Sequence, residues 1–203
     1  MNHLAHFFLA GDDADLLVGG LLGDYIKGRL KGEYKAAIEA GIKLHRSIDA
    51  FTDKHEVTRL SQSRFAPRFR RVSGIMTDII YDHFLAKNWE IYHELELQRF
   101  SDRTFHILFD NEEHLTEPAS KAVKGMHAAN TIPRYVDELF IDRSLKYLSL
   151  KLSRDNPLSE GFEQFLNNKA ELEADFGIFF PALITFVDQW KEINVPEHKV
   201  KPL

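Results

Sequence analysis

The chain has 203 residues, 44% of them hydrophobic, with sixteen Phe, no Cys and a formal net charge of −5. That is ample material for one packed core and the wrong charge balance for a general nucleic-acid binder. The lack of cysteine excludes disulfides and thiolate metal sites and is compatible with the cytoplasm. No apolar run reaches the roughly 18 residues a membrane-spanning helix needs.

Residues 1–6 lack the basic stretch that opens a secretory signal. Residues 2–10 read as a short apolar helix. Asn2 and His6, four apart, share one of its faces and read as core hydrogen-bonding groups. Asp12 and Asp13 are placed to cap the next helix, which runs through Leu16, Leu17, Leu21, Leu22 and Ile26. Gly19, Gly20 and Gly23 interrupt it. Each costs about 1 kcal/mol against Ala inside a helix, so three together point to close backbone approach. Asp24 follows in an apolar setting, where a backbone-bonded carboxylate and a functional one fit equally well. Lys27, Arg29, Lys31 and Lys35 then crowd a loop and short helix around Gly28 and Gly32.

The richest stretch is 41–55, with His45, Arg46, Asp49, Asp53 and His55 among Ile42, Leu44, Ile48 and Phe51. On a helix, residues four apart share a face with Cβ atoms roughly 5–6 Å apart, so His45, Asp49 and Asp53 form one row. An imidazole and two carboxylates beside apolar residues suit a divalent cation, and the plainer reading is a set of satisfied polar groups. Residues 64–71 hold Arg64, Arg68, Arg70 and Arg71 around Pro67. This is ordinarily a solvated basic face, but in a net-acidic chain it suggests an anionic partner. Residues 75–86 form a very apolar helix that carries Asp78 and Asp82, one turn apart, and His83. Unpaired buried carboxylates cost several kcal/mol each, so a cation belongs nearby. Two such helices facing each other would bring His, Asp, Asp and His to one centre.

This helix is expected to continue to about residue 94. Further helices are expected over 100–109 and 119–129, from Pro133, and over 138–152 with Asp137 as its cap. Residues 160–194 read as one helix or two, with Pro181 as the kink or break. The tail, 195–203, reads as loose. With no strand pattern, repeat or linker, the expectation is an all-α, single-domain helical bundle spanning 1–203.

The chain has no P-loop, no Gly-x-Gly-x-x-Gly and no Gly-x-Ser-x-Gly elbow. What remains is a metal centre of His and Asp. Such donors fit Mn, Fe, Zn or Mg better than copper or iron–sulfur, and hydrolysis of a phosphate ester is the natural reaction. Arg46 and Lys27 are candidates to bind the non-bridging phosphoryl oxygens, and Asp78 or Asp49 to accept the proton of attacking water.

Four motifs stand in order. Asn2, Leu4, Ala5 and His6 open the chain, and Gly23, Asp24, Lys27 and Gly28 follow. Gly41, Ile42, His45, Arg46, Ile48, Asp49, Thr52 and Asp53 form the third, and Asp78, Asp82, His83, Phe84 and Leu85 the fourth. Together they resemble the acyl carrier protein phosphodiesterases, a divergent branch of the HD-type metal-dependent phosphohydrolases. The resemblance covers most of the chain in length and order, with its sharp motifs in the first ninety residues. It implies an HD-domain-like helical fold and removal of the 4′-phosphopantetheine arm from holo acyl carrier protein, leaving the apo form. It also implies an acidic carrier as partner, neither nucleic acid nor membrane, and a divalent cation, typically Mn²⁺, with Mg²⁺, Fe²⁺ or Zn²⁺ as alternatives. By resemblance the metal ligands are His45, Asp49, Asp82 and His83, with Asp24 and Asp78 next. The adjacent pair reads Asp82-His83, the reverse of the usual His-Asp order. His3 and the Lys54-His55 step have no evident family role. Two other classes fit the same residues. An HD-like phosphohydrolase of a small nucleotide requires a closed pocket with a base-stacking aromatic. A non-enzymatic helical binding module requires no metal.

Overall fold

A computed structural model describes residues 2–195, and among them all regular structure is helical. The α-helices are α1 (His3–Ala10), α2 (Ala14–Leu22), α3 (Ala36–Lys54), α4 (Glu56–Ser63), α5 (Ser73–Lys87), α6 (Trp89–Tyr92), α7 (Leu97–Asp110), α8 (Glu117–Ala128), α9 (Thr131–Arg134), α10 (Glu138–Lys151), α11 (Gly161–Asn167) and α12 (Lys169–Asn194). The expected all-α bundle is therefore what the chain forms. Residues 196–203, expected to be loose, lie outside the described residues.

The helix ends follow local chemistry. Asp13 Oδ1 accepts the Leu16 N–H at 2.9 Å, and Asp137 Oδ1 accepts the Leu139 N–H at 2.9 Å, so both expected caps form. Helix α2 stops at Leu22, which leaves Ile26 in a loop, and no helix forms around Gly28 and Gly32. Both of those glycines sit at positive φ, 81° and 77°, where a side chain would be strained. The His45 helix breaks at His55, whose ψ of 131° leaves the helical region, and restarts as α4. The Asp78 helix ends at Lys87 rather than near residue 94, and Asn88 Nδ2 donates to the Phe84 carbonyl there. Pro181 causes no break. Helix α12 runs through it, and the interruption in 160–194 falls at Asn168.

The tightest helix pair is α2 with α3, and two glycines make it possible. A Cβ on Gly19 would stand 2.7 Å from the Gly41 Cα, and one on Gly41 would stand 2.6 Å from the Leu16 carbonyl oxygen. Backbone touches backbone, which explains the helix glycines read from the sequence. Helix α1 packs on α2, α3 and α5, and its Leu4, Ala5, Phe7 and Leu9 sink into the core. At the other side of α5 a buried polar network ties α4, α5 and α12 together. Asp175 receives Arg64 Nε at 2.7 Å, Arg64 Nη2 at 2.9 Å and the Ser61 hydroxyl at 2.7 Å. Ser61 has spent its single proton there, so it accepts from the Tyr81 hydroxyl at 2.7 Å. No described helix is long and apolar enough to cross a membrane.

Candidate metal centre

Three ligand-capable side chains converge where α1 crosses α3. His6 comes from α1, and His45 and Asp49 from successive turns of α3, and their donor atoms lie within 4.8 Å of one another. His6 Nε2 is 3.2 Å from Asp49 Oδ1, and His45 Nε2 is 3.2 Å from Asp49 Oδ2. The two imidazole rings are stacked, with centroids 3.9 Å apart and planes 15° apart. Both rings are buried, whereas the Asp49 side chain keeps 45% of its surface exposed. Gly23, at the end of α2, lies against the His45 ring so closely that a Cβ there would collide with it. Asp24 follows, half-exposed, with Oδ1 3.6 Å from His45 Nε2 and Oδ2 3.9 Å from His3 Nδ1.

The electrostatics favour a cation. Burial lowers the His6 pKa to about 4, despite the nearby Asp49 carboxylate, so the ring is neutral near pH 7 and offers a lone pair. Burial alone would raise the Asp49 carboxyl, but the His45 and His6 imidazoles beside it more than offset that and hold the group well below the usual carboxylate range. Neither ring nitrogen of His6, nor His45 Nδ1, has a hydrogen-bond partner, although all three are buried. Polar atoms left this way cost free energy unless something outside the chain satisfies them. Two imidazoles facing one carboxylate suit a divalent first-row ion, so the residues present fit a metal.

The residues singled out from the sequence divide. His45 and Asp49 lie in the cluster and Asp24 at its mouth. Asp53, the third member of the predicted row, is exposed at the end of α3. Asp82 and His83 do not join the group. Asp82 is fully buried, and its carboxylate accepts the Leu4 N–H at 2.8 Å and the Ala5 N–H at 3.3 Å. His83, about 100° further round α5, places Nδ1 2.7 Å from the Tyr135 carbonyl and packs against Phe84 and Phe165. Helix α1 packs against both helices that carry the expected rows, and of the second row only Asp78 lies near enough to Asp49 and Asp53 to feel their charge. Asp78 lies one turn before Asp82, outside the three-residue group, and burial raises its carboxyl pKa.

The basic residues also differ from expectation. Arg46 commits its guanidinium to the chain, with Nη1 donating to the Gly28 carbonyl at 2.8 Å and Nη2 to the Ile26 carbonyl at 2.7 Å. Lys27 lies between those two carbonyls and is exposed. Of the four arginines in 64–71, Arg64 is bound to Asp175 and Arg68 pairs with Glu160 at 2.6 Å, leaving Arg70 and Arg71 exposed beside Asp155 in a shallow cleft. The residue that sequence reasoning missed is His6, read as a core hydrogen bonder. Its signal was present, since it closes the first of the four motifs.

Comparison with known proteins places these features in context. Residues 1–183 match the family model described as acyl carrier protein phosphodiesterase. Among curated proteins, the acyl carrier protein phosphodiesterase of Photorhabdus laumondii is 33% identical over 188 residues, covering 91% of this chain and 93% of its own. The protein of the same name from Serratia proteamaculans is 32% identical, with 91% and 96% covered. The one from Escherichia coli O157:H7 is 28% identical, with 91% and 96% covered. No solved structure matches.

Proposed function

The chain belongs to the acyl carrier protein phosphodiesterase family, and from that premise we propose that it hydrolyses the phosphodiester joining 4′-phosphopantetheine to holo acyl carrier protein, at a cation held by His6, His45 and Asp49. The observation that carries the metal reading is the pair of stacked imidazoles, each with Nε2 3.2 Å from an oxygen of the same Asp49 carboxylate. Mn²⁺ is the first candidate, because mixed imidazole and carboxylate donors suit it and the family resemblance implies it. A cysteine-free chain is at home in the reducing cytoplasm, where we place the reaction.

When bound, such a cation acts as a Lewis acid toward a phosphoryl oxygen and lowers the pKa of water. The chain's own residues do the rest. His6, kept neutral by burial, and His45 turn ring nitrogens toward the site, and Asp49 supplies the compensating negative charge. Asp24 is the carboxylate at the mouth, close to both His45 and His3, and it accepts the proton of the attacking water. Asp78, whose pKa burial raises, is the second candidate for that proton. Lys27 pairs with the non-bridging oxygens from a loop that Arg46 holds by two carbonyls. The water oxygen forms a new bond to phosphorus, and the bond from phosphorus to the carrier's oxygen breaks. That oxygen takes up the proton drawn from the water and leaves as a hydroxyl. Incubation with holo acyl carrier protein and Mn²⁺, followed by mass spectrometry of the carrier, tests the proposal. Loss of the complete arm is expected, and a carrier unchanged with every divalent ion tried removes the proposal.

A further inference from the structure

We infer that Asp82 is a positioning residue: from α5 it pins the first turn of α1 so that His6 is presented to His45 and Asp49, and it does not itself hold the cation. The inference rests on the metal reading above and gives Asp82 a role distinct from ligation.

Helix α1 has eight residues, too few for stability alone, and the side chain of its N-cap residue, Asn2, makes no capping bond. Asn2 Nδ2 instead donates to the Tyr135 hydroxyl at 2.8 Å. Two N–H groups that the first turn leaves without an intrahelical partner are taken by Asp82, whose two oxygens each receive one, from Leu4 at 2.8 Å and Ala5 at 3.3 Å. Its carboxylate is thus a cap delivered from a different helix. At the other end of α1, Lys191 of α12 donates from Nζ to the Ala10 carbonyl at 3.1 Å. A carboxylate at the N-terminus and an ammonium at the C-terminus match the two ends of the helix dipole. Both are drawn from distant parts of the chain, so α1 is held in place by its ends.

His6 depends on that hold. Its Nδ1 has no partner, so the Asp49 contact at Nε2, stacking on His45 and the path of its own backbone orient it. The residue before it is Ala5, whose N–H Asp82 binds. Asp82 is absent from the group of donor atoms that lie within 4.8 Å of one another. The geometry therefore couples Asp82 to the cation through Ala5 and His6.

The test uses Asp82→Asn, which keeps the shape and one acceptor but turns an NH₂ toward the second N–H. In cation-free protein, amide exchange at Leu4 and Ala5 is expected to speed up about tenfold, and the His6 ring signals to shift in ¹H–¹⁵N spectra. In calorimetric titration with Mn²⁺ alone, affinity is expected to fall by about tenfold or more. The same substitution made in a His6→Ala background is expected to cost less than about twofold, because its effect passes through His6. A full tenfold loss in that background makes Asp82 a direct ligand and overturns the inference. Unchanged Leu4 and Ala5 exchange with unchanged His6 signals overturns it as well. If the wild-type chain binds no Mn²⁺, the metal reading fails, and the exchange and ring signals alone decide the positioning role. Should Asp82→Asn not fold, Lys191→Gln examines the opposite end: shifted His6 signals support the clamp, and unshifted ones overturn it.

Discussion

Two polar clusters lie on adjoining helices and are finished in opposite ways. Around Asp175 donors and acceptors are matched: Arg64 binds both carboxylate oxygens, Ser61 adds a third bond, and Tyr81 closes the chain of hydroxyls. Around Asp49 the carboxylate is half-exposed, while the imidazoles beside it are buried with nitrogens that find no partner. Five buried side-chain polar atoms lack a partner among the described residues, and three of them belong to His6 and His45. Both clusters hold buried charge or polarity, and only one is complete. A saturated network holds helices together, whereas among the described residues the other cluster leaves ring nitrogens of His6 and His45 with capacity to spare.

Exchanging the outcomes of two substitutions would break the comparison. Asp49→Asn is expected to reduce turnover on the order of a thousandfold and to lower the melting temperature of the cation-free protein only slightly, because a half-exposed carboxylate loses its contacts with two imidazoles. Asp175→Asn is expected to leave turnover per folded molecule unchanged but to cost about 3 kcal/mol in urea unfolding, because the buried pair loses one partner. If Asp175→Asn proved silent in unfolding, the saturated cluster would not be structural.

Acid sharpens the same contrast. His6 has a pKa of about 4 in the fold, against about 6.5 for a free imidazole, so between these values the unfolded chain binds more protons. Its contribution is full above pH 6.5 and is lost as pH falls toward 4, amounting to roughly 3 kcal/mol. Burial raises Asp82 to about 7, and its contribution runs the other way, lost as pH rises toward 7. The stability difference between wild type and His6→Gln isolates the histidine, and it should shrink by that amount from pH 6.5 to 4. A difference that stays flat would mean the ring is not buried in solution.

Gly23→Ala probes the seat of His45 alone. The added methyl collides with the ring, so Mn²⁺ affinity measured by calorimetry should fall by about ten- to hundredfold, with the helical circular dichroism intact. A smaller change is expected for Arg46→Lys, which keeps the charge and loses the fork that grips two carbonyls. KM for the carrier should rise by about threefold with kcat nearly constant. A fall in kcat alone would return Arg46 to the reacting phosphate.

The fold class and part of this cluster were legible in the sequence. His45 and Asp49 follow from a one-turn spacing, and the close helix approach follows from the glycines. What stayed hidden is which helices meet. Periodicity assigns a face to each helix but not its partner, so His6, thirty-nine positions before His45, passed for an ordinary core group. Asp82 was expected beside a cation, but the structure sets its carboxyl against the N-terminus of α1, whose two N–H groups only partly offset its burial. Adjacency in the chain also misled. Asp82 and His83 read as a pair, yet on a helix neighbours point about 100° apart, and His83 faces Tyr135.

The two-ended hold on α1 also bears on the order of assembly. Asp82 lies 78 positions from Leu4, and Lys191 lies 181 positions from Ala10. Contacts of such separation carry a high loop-closure cost and form late. During synthesis His6, His45 and Asp49 emerge early, but the helix bearing His6 cannot be gripped at its far end until α12 has left the ribosome. We expect pulse-labelled exchange during refolding to show the amides of α1 gaining protection after those of α2 and α3. A bundle built in that order closes the corner that joins His6 to His45 and Asp49 last.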